Sequence, residues 1–265
     1  MAKSIKTKTL VKKKRIAPAK KITSTSSEVN AKQFITRLNT YQSAAELEKI
    51  QRYFKSDGGE YAEGDKFMGV RMGQVFALAK EFMDMMPSEI EKLLESPIHE
   101  VRTGAVSIMD FQARNKKTSA SRKKELFDLY IDRHDRINNW DLVDRSAPYV
   151  VGGYLFDQPR NILYKLAKSK NVWERRTSIV STYFFIRQGE IEDTFKIAEL
   201  LINDKHDLIQ KAAGGWVREA GKKDPKKLIS FLVKYVATMP RTMLRYAIEH
   251  LTKKQRDYYL SLKKL

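Results

Sequence analysis

The sequence predicts an all-α protein, a right-handed solenoid of HEAT-like helix pairs with a basic groove on its concave side. Apolar residues recur every three or four positions through most of the chain, and no stretch sustains the alternation of apolar and polar residues that marks a strand. Similar segments recur about every 35 residues, a period typical of helical repeat proteins. The 265 residues also carry a net charge of +19, and a repeat fold would align basic positions on one surface.

The predicted helices follow the chain in order. Apolar spacing predicts helix from residue 31 to residue 54, in two stretches that meet at Ser43. Residues 56 to 64 contain three glycines and three acids, and they predict a loop. Helical spacing returns from Gln74, and Pro87 is placed to start the next helix because proline suits a first helical turn. The β-rich run from residue 179 to 186 is interpreted as part of a buried helix.

Beyond residue 100 the sequence becomes self-similar. Aligning Arg102, Arg176, Gln210 and Arg245 gives separations of 74, 34 and 35 residues, and the first is two steps of 37 with the middle step at Asn139. In stacked helix pairs, equivalent positions line one groove. A polar, basic track able to contact successive phosphates is therefore predicted. Its expected members are Arg102, Asn139, Arg176, Lys211 and Arg245. For any one of these side chains, a solvated or stem-packed position is the simpler alternative.

Charge is distributed unevenly along the chain. Residues 1 to 27 contain eight lysines and Arg15 without an acid, which predicts a disordered basic tail before a single helical domain at residues 28 to 265. A flexible arm that approaches nucleic acid is favoured for this tail over a mitochondrial address. The basic body indicates a polyanionic partner, either nucleic acid or, peripherally, an anionic membrane. No apolar stretch is long enough to span a bilayer.

The chain contains no cysteine, which excludes a disulfide framework, a thiolate zinc site and a cysteine nucleophile. Its four histidines are scattered singly, and none has a partner at a metal-ligand spacing. The glycine pairs at residues 58–59 and 214–215 lack the strand and helix context of a phosphate-binding loop. The sequence therefore predicts neither a metal nor a cofactor.

The segment from Ile137 to Asp144 combines two asparagines, one tryptophan and two carboxylates. If it is helical, Trp140 and Asp144 stand four residues apart and project from the same face. An indole can hold a sugar or a backbone in place, and a carboxylate beside it can stabilise positive charge developing on a ring carbon. The structural alternative is that Trp140 anchors the core and the acids occupy the first turn of a helix.

Six segments together carry a resemblance to a known family. They lie at residues 64–70, 96–102, 139–144, 173–176, 209–219 and 239–249. In their order and spacing, residues 45 to 260 resemble the AlkD family of HEAT-like-repeat DNA alkylation repair glycosylases. The resemblance implies a monofunctional glycosylase of base excision repair. Such an enzyme excises alkylated purines, for example 7-alkylguanine and 3-alkyladenine, from double-stranded DNA, without a pocket for a flipped base.

The resemblance also assigns roles to individual residues. Asp144 resembles the family's catalytic carboxylate, Trp140 its neighbouring aromatic residue, and Arg176 the arginine of a Trp-x-x-Arg motif. Tyr53 is similar to a further DNA-contacting position. One departure concerns the second groove tryptophan of the family: this chain has Gly215 in its place and Trp216 one residue later. A shift of one residue rotates a helical side chain by about 100°, so Trp216 either contacts DNA or packs inward.

Two other functions are compatible with the same residues. One is a helical-repeat module that binds DNA without catalysis, and the other is a protein-binding scaffold whose charge serves solubility. A carboxylate at the centre of a basic groove favours the glycosylase, because grip on phosphates alone gains nothing from it. The expected protein is a monomer, without metal, membrane or cofactor, that acts on double-stranded DNA in the cytoplasm and associates with the nucleoid.

Overall fold

A computed structural model describes residues 29–54 and 64–262 of the chain. The basic tail predicted at residues 1 to 27 lies outside the described residues. Within them the protein is all-helical, as predicted, and its only extended pairing is an isolated parallel bridge between Lys66 and Ile98. The further description of the fold as a right-handed solenoid with a concave groove remains a prediction, as does the single domain at residues 28 to 265.

The α-helices of the described ranges are numbered in chain order. The first eight are α1 (Ala31–Asn39), α2 (Ala44–Phe54), α3 (Met72–Glu81), α4 (Pro87–Leu94), α5 (His99–Arg114), α6 (Ala120–Asp132), α7 (Trp140–Ser146) and α8 (Gly153–Leu155). The next seven are α9 (Asn161–Leu166), α10 (Val172–Gln188), α11 (Glu192–Leu200), α12 (Asp207–Lys223), α13 (Pro225–Tyr235), α14 (Arg241–Ala247) and α15 (Lys253–Ser261).

Local sequence explains several helix ends. The helical region predicted from residue 31 to 54 is two helices, because α1 ends at Asn39, with Thr40 as its C-cap, and α2 begins after Ser43. Pro87 occupies the first turn of α4, as predicted. The β-rich run at residues 179 to 186 lies inside α10, a helix buried on nearly every side, which explains why it shows no amphipathic pattern.

One row of packed helices runs through the protein. Helix α5 packs against α7, α7 against α10, α10 against α12, and α12 against α14. Helices α4, α6, α9, α11 and α13 also pack against members of this row. The row contains the segments that the sequence comparison aligned, so each repeated segment contributes one helix to the same layer. The buried apolar side chains form one continuous cluster from Ala31 to Tyr259.

Close approach between helices of this row depends on glycine at Gly214. A Cβ atom there would lie closer than van der Waals contact to the backbone oxygen of Met243 and to the Cβ atom of Tyr246. Glycine therefore allows α12 and α14 to pack backbone against backbone. This contact brings Tyr246 beside the part of α12 that carries Trp216.

Helix α7 continues without a break into a π-helical turn (Ala147–Gly152) and then into α8. Pro148 lies in the π-helical turn, and because proline has no backbone N–H it interrupts the hydrogen-bond ladder of an α-helix. Asn139 caps the start of α7, and its side-chain oxygen accepts a hydrogen bond from the backbone N–H of Trp140 at 2.8 Å. Trp140 and Asp144 therefore lie on the short, seven-residue α-helix between this cap and the π-helical turn.

Candidate functional site

Asp144 is held in place by the guanidinium of Arg176. The Nε atom of Arg176 donates to Oδ1 of Asp144 at 2.8 Å, and Nη2 donates to Oδ2 at 2.7 Å. The third nitrogen, Nη1, donates to the backbone oxygen of Leu208 at 2.8 Å. The Arg176 side chain is 10% exposed, whereas that of Asp144 is 38% exposed. The carboxylate is therefore fixed in both position and plane, yet remains open to an incoming group.

The pair lies at an open cavity of about 300 Å³, called here the Asp144 cavity. Four helices of the packed row, α7, α10, α12 and α14, supply its walls. The lining residues are Trp140, Asp144, Arg176, Leu208, Lys211, Ala212, Gly215, Trp216, Arg218 and Tyr246. The structure thus brings together five residues that the sequence singled out: Trp140, Asp144, Arg176, Lys211 and Trp216. Asp144 is therefore not a first-turn acid that only caps a helix, because its carboxylate accepts hydrogen bonds from the side chain of Arg176.

Trp216 lines the Asp144 cavity despite its displacement by one residue. Its ring contacts that of Tyr183 on α10, with centroids 5.0 Å apart. The indole is half-buried: it packs against the apolar core and also lines the cavity, and its contact with DNA stays a prediction. Trp140 and Trp216 therefore stand on different helices of the same cavity as the carboxylate.

Hydrogen bonds reveal the true register of the repeats. Arg102, Arg175 and Gln210 each donate from the side chain to the backbone oxygen six residues earlier, at 2.9, 3.0 and 2.9 Å. Arg102 also pairs with Asp65, which precedes α5, and Arg175 pairs with Asp204 in the loop before α12. Arg102 is thus equivalent to Arg175, one residue before the position chosen from the sequence. Side chains at this repeat position therefore bind the backbone of the loop that precedes their own helix.

The positions that face the cavity lie one residue further on. Arg176, Lys211 and Tyr246 are spaced 35 residues apart, and all three line the Asp144 cavity. Tyr246 was missed by the sequence analysis, as was Arg218. Both lie in segments that carried the family resemblance, but neither was named as a site residue. Counting steps of 35 from Arg176 would have found Tyr246.

Arg102 requires a correction. Its side chain is buried, and it donates to Oδ1 of Asp65 at 2.5 Å and to the backbone oxygen of Ser96. A guanidinium engaged in this way is not available to a phosphate, so Arg102 is left out of the proposed DNA-binding surface. Asn139 is fully buried as well, and it donates to Oδ2 of Asp65 at 3.0 Å. These two members of the predicted track serve the interior of the fold.

The other three residues of the predicted DNA-binding set differ in their position relative to the Asp144 cavity. Tyr53 is 65% exposed at the end of α2, and its ring centroid is 6.1 Å from that of Trp140. Lys211 forms an ion pair with Asp207 at 2.5 Å. Arg245 is exposed on α14 but does not line the Asp144 cavity, where its neighbour Tyr246 takes the corresponding position.

A buried network of charges fixes the first turn of α7. His99 lies between two carboxylates: its Nε2 atom is 2.8 Å from Oδ2 of Asp141, and its Nδ1 atom is 3.5 Å from Oδ2 of Asp65. Burial is the largest single influence and disfavours the charged imidazole, but the two carboxylates together outweigh it and raise the pKa of His99 to about 9. A protonated His99 therefore ties α5 and the loop at Asp65 to the residue that follows Trp140.

The described ranges contain neither a candidate metal site nor a membrane-spanning helix. No group of three or more histidines, aspartates or glutamates in these ranges is arranged to hold a metal ion. No helix in the same part of the chain is long and apolar enough to cross a membrane.

The fold and the site together define a class: an all-helical protein whose packed helices present a carboxylate, its guanidinium partner and two indoles in one open cavity. The chain belongs to the DNA alkylation repair enzyme family, because the sequence profile of that family matches residues 34–251. This membership confirms the resemblance inferred from the sequence. It indicates an enzyme of DNA alkylation repair with DNA as its partner.

Two solved structures are similar to this chain. A predicted DNA alkylation repair enzyme from Enterococcus faecalis aligns with a TM-score of 0.64 and 16% identity, over 80% of this chain and 97% of that one. AlkD2 from Streptococcus mutans aligns with a TM-score of 0.46 and 16% identity, over 83% and 99% of the two chains. At these identities, the first structure supports the fold alone. No curated protein sequence matches the chain.

Proposed function

We propose that the protein is a monofunctional DNA glycosylase that hydrolyses the N-glycosidic bond of alkylated, cationic purines, such as 7-alkylguanine and 3-alkyladenine, in double-stranded DNA. The observation that carries the proposal is the exposed carboxylate of Asp144, which two nitrogens of Arg176 fix in a cavity that Trp140 and Trp216 also line. A fixed, solvent-open carboxylate at the centre of a site with basic and aromatic walls suits the stabilisation of a cationic sugar.

Alkylation at N7 or N3 gives the purine a positive charge and makes it a good leaving group. When the bond between C1′ and N9 breaks, its electron pair moves to the base and neutralises that charge. The positive charge then resides on the deoxyribose ring as an oxocarbenium-like centre. Asp144 opposes this centre electrostatically and orients the water that adds to C1′, and the proton of that water passes to the carboxylate or to solvent. No general acid is required.

Arg176 is a positioning residue in this scheme. Its fork holds both oxygens of Asp144, so the carboxylate does not have to be ordered during the reaction. The anchor on the backbone oxygen of Leu208 connects this geometry to α12, which carries Trp216. Trp140 and Trp216 offer flat apolar faces that exclude water and hold the sugar of the damaged nucleotide.

The proposed DNA-binding surface surrounds the Asp144 cavity. It contains Tyr53, Trp140, Arg176, Lys211, Trp216 and Arg245 from the sequence, to which the structure adds Arg218 and Tyr246. Lys211, Arg218 and Arg245 would contact phosphates, whereas Arg176 is occupied with Asp144 and Leu208. DNA affinity would fall steeply with salt. In the proposed complex, the protein is a right-handed solenoid and its concave groove holds the duplex. We further propose that the protein is a monomer and associates with the nucleoid in the cytoplasm.

The proposal is tested by incubating the full-length protein with duplex DNA that contains 7-methylguanine and measuring released base by mass spectrometry. We expect free 7-methylguanine from the wild type and a loss of at least about a hundredfold for Asp144→Asn. A DNA-binding module without catalysis would release no base, and its salt-sensitive binding would survive Asp144→Asn. Absence of release at high enzyme concentration rejects the glycosylase.

A further inference from the structure

A second and larger cavity, about 530 Å³, shares Trp140 with the Asp144 cavity. We call it the aromatic cavity because most of its apolar wall is made of rings. Its apolar wall residues are Ile50, Tyr53, Phe54, Met72, Phe76 and Trp140. Phe54 stacks on Trp140, with centroids 5.8 Å apart and planes inclined by 26°. The volume falls in the range of small-molecule sites and exceeds what a single purine base occupies.

Each charged side chain that lines the aromatic cavity has an opposite charge beside it, and Lys49, the first of them, pairs with Glu46 at 3.0 Å. Asp141 accepts from the imidazole of His99, which the same network keeps protonated. Arg145 pairs with the buried Asp110 at 3.3 Å, and its guanidinium lies over the ring of Phe76 at 4.6 Å. Because protein groups of opposite charge already neutralise the charged side chains of this cavity, it favours a neutral ligand over an ion.

Asp141 and Arg145 are nevertheless polar contacts for such a ligand. They stand four residues apart on α7 and both line the cavity, with side chains 14% and 21% exposed. A carboxylate accepts hydrogen bonds and a guanidinium donates them. A flat ligand with a donor and an acceptor on one edge would therefore match this pair while its faces stack on the rings.

The reaction proposed above produces such a molecule. Cleavage of the bond between C1′ and N9 leaves its electron pair on the alkylated purine, which departs as a neutral, flat heterocycle with donors and acceptors on its edge. We propose that the aromatic cavity is a binding site for this released purine base, one side chain away from Asp144. The assignment of the ligand as the product rests on the proposed function.

Free 7-methylguanine is the probe, titrated into the full-length protein by isothermal calorimetry. Ile50→Trp would fill the cavity from α2, and we expect it to weaken binding at least about tenfold. Val233→Trp adds the same side chain at a position that is 69% exposed on α13 and lines neither cavity, so it should bind like the wild type. Asp144→Asn should also bind the base, because Asp144 does not line the aromatic cavity.

A circular dichroism melt checks that Ile50→Trp is folded. If it is not, Phe76→Leu removes one ring without filling the cavity and should weaken binding as well. The inference is overturned if the wild type shows no saturable binding up to about 1 mM base. It is also overturned if the folded cavity variants bind as tightly as the wild type.

The two proposals fail in different ways. Base binding that depends on Ile50, without release of base from methylated DNA, would refute the glycosylase and leave a purine-binding cavity. Release of base from DNA, with binding that is indifferent to Ile50, would refute the cavity and leave the glycosylase.

Discussion

Replacing Arg176 with lysine would separate the charge of this residue from its geometry. Arg176→Lys keeps the positive charge but loses the fork that contacts both oxygens of Asp144, together with the anchor on Leu208. Charge-assisted hydrogen bonds contribute about 1.5–3 kcal/mol each, and the 38% exposure of Asp144 lowers that figure through solvent screening. We expect a loss of about 1–2 kcal/mol in the free energy of unfolding.

The expected effect on catalysis is larger than the effect on stability. A displacement of Asp144 by about 1 Å would slow excision roughly tenfold to a hundredfold. The assay is single-turnover release of 7-methylguanine from duplex DNA, with stability measured by urea unfolding of the same samples.

The neighbouring residue provides a matched control. Arg175 contacts Asp204 through Nε at 2.6 Å and two backbone oxygens, but it does not line the Asp144 cavity. Arg175→Lys should therefore lower the free energy of unfolding by a similar amount but excise the base at the wild-type rate. Equal excision rates for Arg176→Lys and Arg175→Lys would refute the positioning role of Arg176.

Three further predictions concern stability and binding. Gly214→Ala should lower the free energy of unfolding by about 1–3 kcal/mol, because the new Cβ atom would clash with α14. Gly215→Ala should raise it by about 0.5–1 kcal/mol, because a Cβ atom there would meet no atom within 4 Å. Urea unfolding compares the two variants. His99→Gln should lower the free energy of unfolding by up to about 3 kcal/mol below pH 6.5. The pKa of His99 is higher in the folded protein than in the unfolded chain, so its protonation stabilises the fold fully below the unfolded pKa. This difference from the wild type should shrink as pH rises through about 9, and a pH-independent difference in unfolding would contradict it. Lys211→Gln should lower the salt slope of DNA affinity by about one unit, whereas Lys253→Gln, which breaks a similar ion pair on α15, should not; fluorescence anisotropy measures both.

The period of the repeats could be predicted from the sequence, because buried apolar side chains recur with every helix pair. The phase could not be predicted to a single residue. Arg175 and Arg176 are adjacent and chemically identical, and only the contacts to Ser169 and Asp144 distinguish the one that binds a loop from the one that faces the cavity. The same limit explains why Arg102 was expected on the surface and lies in the interior.

The catalytic candidate was more predictable than its surroundings. Trp140 and Asp144 are close in sequence, so helical periodicity alone places them on one face. The partners of α7 come from distant segments: Asp65 and His99 reach its first turn across long stretches of chain. The aromatic cavity likewise combines residues of α2, α3, α5 and α7, and no local pattern links Phe76 to Trp140.

In the proposed reaction, the carboxylate of Asp144 stabilises the positive charge that develops on the deoxyribose as its bond to the purine breaks. The most direct measurement compares single-turnover release of 7-methylguanine by Asp144→Asn with release by Asp207→Asn, an identical change at an exposed aspartate paired with Lys211. We expect release to fall at least about a hundredfold for Asp144→Asn, with DNA affinity retained, and to stay near the wild-type rate for Asp207→Asn. Release by Asp144→Asn at the wild-type rate would contradict the claim.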